Sequence, residues 1–110
     1  MKTDFRENHL FIEGRDIELP FPIKEIQEVD SKVLVIYHYM SAPEQGQFKN
    51  CIAYDLKGNF LWTAEHPTTN ENDVYVNFVK IHPLTLASFA GFDCELDINN
   101  GKLKRAVFSK

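Results

Sequence analysis

Apolar and polar residues alternate in short segments along most of the chain, and turn-forming residues separate one segment from the next. A period of two is typical of β-strands that bury one face. Residues 33–37 are almost continuously apolar, which predicts a central strand covered on both faces. Only Ile23, Ile26 and Val29, with a spacing of three, allow a helical turn to compete with a strand. The pattern predicts an all-β chain of about ten antiparallel strands.

Turn signals divide the chain into an N-terminal hairpin and two longer halves. Residues 9–20 alternate on both sides of Gly14 and end in a Pro-Phe-Pro breaker, which predicts a β-hairpin. A polar loop that contains Pro43 and Gly46 follows the central strand, and we expect it to be exposed. Residues 65–74 are the most turn-rich part of the chain, so we place the boundary between two halves of one domain there.

A twelve-residue pattern occurs twice, as CIAYDLKGNFLW from Cys51 and as CELDINNGKLKR from Cys94. Each copy has a cysteine, an alternating run, an Asp, a turn with Gly, and a second alternating run. The two cysteines are 43 positions apart, and so are Gly58 and Gly101. A period of this length with strand patterning is typical of repeated sheets that stack, because one such sheet cannot bury its faces alone.

At these residues the sequence resembles the blades of β-propellers of the quinoprotein type. The outer hairpin of such a blade reads as an apolar strand, Asp, a short turn with Gly, and a strand that ends in Trp. Trp62 completes the first copy, whereas Arg105 takes its place in the second. The resemblance implies a half-propeller of two antiparallel blades, at residues 23–65 and 74–110, that forms a single domain over 1–110 together with the N-terminal hairpin. A closed ring needs at least four blades.

Composition and charge narrow the classes of function. The 110 residues are 44% hydrophobic, with nine Phe, which is ample for one packed core. The net charge is −4, although residues 101–110 carry four cations and no acid. A net-acidic surface repels polyanions, so we predict no direct binding to nucleic acid. It favours a basic protein partner instead, and the alternative is that the acidity only maintains solubility.

The two cysteines occupy equivalent places in the repeat, which indicates small buried core residues and not a disulfide or a metal pair. The N-terminus has no apolar leader, and no stretch has the length needed to cross a bilayer. From these features we expect a protein of the cytoplasm with no membrane association.

None of the four histidines has the spacing of a metal ligand or a proton relay. His38, within a strand, is more often structural than a catalytic base in such a setting. His66 and His82 both precede Pro, which is typical of positions at strand ends and turns. There is also no Gly-rich phosphate loop or nucleophile elbow. We therefore predict no enzymatic activity, no metal site and no cofactor.

Small size, a net-acidic surface and polar loops without an active-site motif predict a protein-binding inhibitor. In size and charge the chain resembles bacterial immunity proteins, which neutralise a cognate toxin, often a basic nuclease, by covering its active surface. Contacts are expected from loops at one end of the sheets, because loop backbones there are free to reach a partner. The candidate partner-binding residues are Glu44, Gln47, Phe48, Glu71, Asn72 and Asp73.

Two alternatives to an inhibitor stay open. One is a structural or assembly subunit that self-associates through open sheet edges. The C-terminal run KLKRAVFSK carries four cations, and since lysine on an edge strand blocks such pairing, a monomer is favoured. The other is a small hydrolase, which requires a pocket with a perturbed histidine or carboxylate.

Overall fold

The computed structural model describes residues 3–41, 46–70 and 73–108. Within these ranges the chain forms eleven β-strands and one short 3-10 helix, Tyr39–Ser41, and no α-helix. The strands, in chain order, are β1 (Thr3–Arg6), β2 (His9–Ile12), β3 (Arg15–Glu18), β4 (Ile23–Val29), β5 (Lys32–Tyr37), β6 (Cys51–Asp55), β7 (Phe60–Thr63), β8 (Tyr75–Lys80), β9 (Thr85–Ser88), β10 (Phe92–Leu96) and β11 (Leu103–Phe108).

The strands form three antiparallel sheets, and in each sheet neighbours in sequence are neighbours in space. Sheet 1 contains β1 to β3, sheet 2 contains β4 to β7, and sheet 3 contains β8 to β11. The prediction of an antiparallel all-β protein is confirmed. The sheets do not close into a propeller ring. No helix in the described ranges has the length and apolar character needed to cross a membrane.

Sheet 1 differs from the predicted N-terminal hairpin by one strand. β2 and β3 pair across Glu13 and Gly14 as the sequence indicates, but β1 pairs with the other side of β2. The alternation signal missed β1 because this strand has one apolar residue, Phe5, which packs against the core between sheets 1 and 2. A third strand gives the sheet more apolar surface to bury than a hairpin alone has.

The spacing of three at Ile23, Ile26 and Val29 belongs to a strand with a bulge and not to a helical turn. Ile23 pairs with Tyr37, and the register then shifts by one residue before Glu25. Because the extra residue resets the alternation, Ile23 and Ile26 fall on the same face of β4. Both contact the core between sheets 1 and 2, whereas Val29 lies in the core between sheets 2 and 3.

Sheet 2 lies between the other two sheets and buries both of its faces. The four residues from Val33 to Ile36 are all 0% exposed, which confirms the predicted central strand. Val33 and Val35 pack with Leu10 and Ile12 of sheet 1. The alternate residues of β5 pack in a second core with sheet 3, whose members include Trp62, Tyr75, Leu86, Cys51 and Cys94.

Sheets 1 and 2 contact the following sheet in the same way. The last strand of one sheet packs against a hairpin turn of the next. Ile17 of β3 packs against Gly58, in the turn between β6 and β7. Trp62 of β7 packs in the same way against Gly101, in the turn between β10 and β11. The indole Nε1 of Trp62 also donates a hydrogen bond of 3.1 Å to the carbonyl of Ile98. The repeated motif therefore supplies a repeated contact between successive sheets.

Candidate binding site at the loop end

The long connections lie at one end of the sheets, which we call the loop end. It consists of the β5–β6 loop (residues 38–50), the β7–β8 loop (residues 64–74) and the β9–β10 turn (residues 89–91). Gln47 joins the two longer loops, since its Nε2 donates to the carbonyls of Thr68 at 2.8 Å and Asn70 at 3.0 Å. The structure thus holds together the two segments that contain all six candidate contact residues. Of these six, Glu44, Glu71 and Asn72 lie outside the described residues.

Phe48, a candidate contact residue, is a buried residue of the β5–β6 loop. Its side chain is 4% exposed. Its ring centroid lies 4.8 Å from that of Phe21 and 6.1 Å from that of Tyr37. A lone aromatic residue in a polar loop buries its ring because this removes a large apolar area from water. Phe48 therefore anchors the β5–β6 loop to the core.

Asp73, another candidate contact residue, is also buried, at 1% exposure, although it belongs to the β7–β8 loop. Its Oδ2 accepts a hydrogen bond of 2.8 Å from the Thr68 hydroxyl, and its backbone N–H donates to the carbonyl of Asn70 at 3.0 Å. These contacts connect Asp73 to Thr68 and Asn70. The second carboxylate oxygen, Oδ1, has no hydrogen-bond partner among the described residues. Asp73 thus holds the loop with one oxygen and leaves the other unused.

His66 lies beside this carboxylate and is 7% exposed. Its ring centroid is 4.5 Å from that of Tyr75, and neither ring nitrogen has a hydrogen-bond partner in the described part of the chain. Burial lowers the pKa of His66 to about 4, although the Asp73 charge opposes this shift, and the Lys49 charge adds to it. The imidazole is therefore neutral near pH 7 and supplies no positive charge to Asp73.

Asn50 and Tyr75 form a rigid floor under the two loops. The Asn50 side chain donates to the carbonyls of Tyr37 at 3.1 Å and Tyr75 at 2.7 Å, and it accepts from the Tyr75 N–H at 2.9 Å. The amide thus joins the end of β5 in sheet 2 to the start of β8 in sheet 3. The Tyr75 hydroxyl donates to the carbonyl of Glu65, which fixes the start of the β7–β8 loop.

A cavity of about 240 Å³ opens beside Asp73 and is lined by Asn70, Asp73, Phe89 and Ala90. The side chain of Phe89 is 62% exposed. Its backbone is fixed by a hydrogen bond of 2.8 Å from its N–H to the carbonyl of Val74. The cavity therefore combines a buried carboxylate that has one unused acceptor with an exposed aromatic ring.

A second cavity, of about 300 Å³, lies at the opposite end of the sheets and has an acidic lining that includes Asp30, Glu95 and Asp97. Its chemistry is less distinctive because Glu95 forms ion pairs with Lys104 at 3.5 Å and Arg105 at 3.4 Å. Over the three described ranges, no three His, Cys, Asp or Glu side chains are grouped to hold a metal ion.

Sequence reasoning missed three residues of the loop end. The sequence indicates only that His66, before Pro67, lies at a strand end or turn, and that Phe89 belongs to a strand. Asn50 gives no pattern signal because a buried Asn that joins two sheets has no fixed spacing from its partners. The sequence signal that indicates this site is the position of His66 and Asp73 near the two ends of the turn-rich segment 65–74.

No curated protein and no solved structure shows a significant match to this chain. One family model, described as "Domain of unknown function (DUF7957)", matches residues 1–108 and so covers nearly the whole sequence. The chain belongs to this family of domains, DUF7957.

Proposed function

We propose that the chain is a protein-binding inhibitor of the bacterial immunity type, which neutralises a basic toxin by covering its active surface with the loop end. The observation that carries this proposal is the pair of hydrogen bonds from Gln47 that joins the two long loops. Loops that are already fixed lose less conformational entropy when a partner binds, so more of the contact energy contributes to affinity. A fixed platform at one end of a stack of sheets therefore suits recognition of another protein.

Exposed apolar residues at the loop end support the same proposal. The exposed fraction is 76% for Met40 and 62% for Phe89, and Tyr39 is 36% exposed. Aromatic residues and Met are enriched at the centres of protein interfaces, where they supply much of the binding energy. The net charge of −4 favours encounter with a basic protein.

Within the proposal, the six candidate contact residues have two roles. Gln47 lies in the platform itself, and Glu44, Glu71 and Asn72 stay candidates for direct contact on their sequence alone. Phe48 is buried and holds the β5–β6 loop in place. Asp73 is also buried, holds the β7–β8 loop through one carboxylate oxygen, and lines a cavity of the loop end. The chain has no catalytic role in this proposal, and it acts as a monomer in the cytoplasm.

Sheets 2 and 3 are interpreted as two propeller-like blades of a half-propeller. The supporting observations are their matching four-stranded order and the equivalent contacts of Ile17 with Gly58 and of Trp62 with Gly101. Arg105 replaces Trp in the second copy and pairs with Glu95. An ion pair in place of the packing Trp favours the end of a series of stacked repeats, because a further sheet would bury these charges at a cost in hydration.

The alternative is an assembly subunit that self-associates through sheet 3. Val79 and Val107 on its outer face are 47% and 50% exposed, and Phe108 of the edge strand β11 is 59% exposed. An apolar surface on an edge strand invites pairing with a second copy. Lys104 and Arg105 on the same strand oppose such pairing, so we rank this function second.

The test combines affinity capture from a bacterial lysate, with mass spectrometry, and light scattering on the purified chain. We expect a monomer that forms a stoichiometric complex with one basic protein, and we expect that protein to lose activity in the complex. A stable homo-oligomer that captures no such protein would contradict the inhibitor and favour the assembly subunit.

A further inference from the structure

We propose that the cavity beside Asp73 takes a cationic side chain of the basic partner, and that this side chain is an arginine. The inference rests on the proposed function and names the chemical group that the loop end recognises. The cavity lining of Asn70, Asp73, Phe89 and Ala90 carries the argument.

One carboxylate oxygen of Asp73 has no hydrogen-bond partner among the described residues. Asp73 is 1% exposed, and only its Oδ2 accepts a hydrogen bond, from Thr68. Oδ1 is without a partner in the described chain, and the ion pairs found there do not include Asp73. A buried carboxylate is costly unless it is paired and hydrogen-bonded. A guanidinium that enters the cavity beside Asp73 supplies the missing charge.

Among the described residues, no cation forms an ion pair with Asp73. The charge of Asp73 acts on His66, Tyr75 and Cys94, and burial keeps the His66 imidazole neutral near pH 7. The exposed Lys49 acts on His66 through its charge, but its ammonium group makes no ion pair with Asp73 over the described ranges. The charge of Asp73 is therefore available to a cation from outside.

The size and lining of the cavity suit a single side chain. Its volume of about 240 Å³ is below the range of about 300 to 1,000 Å³ that is typical of pockets for drug-sized ligands. One side chain fits such a space better than a whole small molecule does. The exposed ring of Phe89 offers a face on which a guanidinium stacks. Because arginine stacks on aromatic rings and donates several hydrogen bonds from one plane, it suits this lining better than lysine does.

The competing explanation is a buried water that bridges Asp73 Oδ1 and a ring nitrogen of His66. Both groups are buried, and both lack partners among the described residues. A water held by such groups would satisfy them without any ligand. In that case the carboxylate has a structural role, and a guanidinium gains nothing from it.

The experiment is a nuclear magnetic resonance titration of the labelled chain with N-acetylarginine amide. N-acetylcitrulline amide, which has the same shape without the charge, is the control ligand. We expect the arginine compound to shift the backbone amide signals of Asn70, Asp73, Phe89 and Ala90, and we expect the citrulline compound to leave them unchanged. Equal shifts from both compounds, or shifts elsewhere only, would overturn the proposal.

Three variants test which side chains bind the arginine compound. Asp73→Asn removes the charge and should weaken the arginine compound by about tenfold or more, because a desolvated charge pair is lost. Phe89→Ala should weaken it by about two- to fivefold through loss of stacking, and its exposed position leaves the fold intact. Phe60→Ala, which removes a ring of similar exposure outside the cavity, is the matched control and should change nothing. If Asp73→Asn does not fold, the affinities of Phe89→Ala and Phe60→Ala for the arginine compound are compared instead. Equal affinities of these two variants would overturn the proposal.

The outcomes separate this inference from the proposed function. A chain that binds the arginine compound at the cavity but captures no basic protein would refute the inhibitor alone. A chain that inhibits a basic protein but shows no shift at the cavity that depends on the charge of the arginine compound would refute the arginine cavity alone.

Discussion

The indole ring of Trp62 occupies the space that a side chain at position 101 would take. An ideal Cβ on Gly101 would lie 2.3 Å from the ring carbon Cε3 of Trp62, which is closer than any real contact. Gly101 also has a φ of 75°, in the left-handed region that favours glycine. The glycine of the repeated motif therefore serves the turn and the contact between sheets 2 and 3 at once.

Gly101→Ala should reduce the free energy of unfolding by about 3 kcal/mol or more, because overpacking adds to the backbone penalty. Gly14→Ala is the matched control, since Gly14 has a φ of 84° with no atom near the added Cβ. It should cost only about 1 to 2 kcal/mol, the penalty of left-handed backbone. Urea unfolding of both variants measures the difference. Equal losses would show that the Trp62 contact contributes nothing.

Asn50→Ala should destabilise the fold by about 2 to 4 kcal/mol. The substitution leaves the buried N–H and carbonyl of Tyr75 without their side-chain partner, and unsatisfied buried groups carry the full desolvation penalty. Asn99→Ala, at an exposed turn position, is the control and should change stability by less than about 1 kcal/mol. Chemical denaturation compares the two variants, and a similar small loss in both would refute the bridging role of Asn50.

Acidification should destabilise the protein through His66. Its pKa is lowered to about 4 in the folded state from 6.5, so the unfolded chain takes up the proton first as the pH falls between these values. The stability gained from a neutral His66 is thus present above about pH 6.5 and lost toward about pH 4, and it amounts to at most about 3 kcal/mol.

The variant His66→Phe isolates this effect, because it keeps an aromatic ring against Tyr75 and cannot titrate. As the pH is lowered, the free energy of unfolding should fall less steeply in the variant than in the parent. His9, whose pKa is raised by the hydrogen bond that its ring donates to Asp16, contributes with the opposite sign and is present in both proteins. Parallel pH profiles of parent and variant would contradict the lowered pKa of His66.

The two thiols should react slowly in the folded protein. Cys51 and Cys94 are both 0% exposed, and burial raises the pKa of Cys94 to about 11 and that of Cys51 as well. Because only the thiolate reacts, alkylation near pH 8 should be on the order of a hundredfold slower than in denaturant. The single variants Cys51→Ala and Cys94→Ala assign each rate. Fast modification of either thiol under native conditions would contradict its burial.

Much of the fold was predictable because period-two alternation and Gly turns are local signals. The strands around Gly58 and Gly101, the central strand and the turn-rich boundary all follow from them. The bulge in β4 was not predictable from Ile23 and Ile26, since a spacing of three fits a helix or a bulged strand equally well. Local pattern also gives no signal for β1, which depends on its pairing with β2 and on the burial of Phe5.

The candidate site was predictable only as a pair of loops at one end of the sheets. Sequence indicates that Phe48 and Asp73 are in loops, but it does not indicate burial, which depends on how the loops pack against sheets 2 and 3. Some buried atoms of His66 and Asp73 lack partners among the described residues, and because this depends on the tertiary fold, no spacing rule reveals it. Phe89 and Asp73 line the same cavity for the same reason.

The most direct test of the account measures how tightly the captured basic partner binds the parent chain, Phe89→Ala and Phe60→Ala. Both variants remove one exposed phenylalanine ring, but only Phe89 lies at the loop end. The account predicts that Phe89→Ala weakens the complex by about fivefold or more, with matching loss of inhibition, and that Phe60→Ala leaves both unchanged. Equal affinity of the partner for all three proteins would contradict recognition through the loop end.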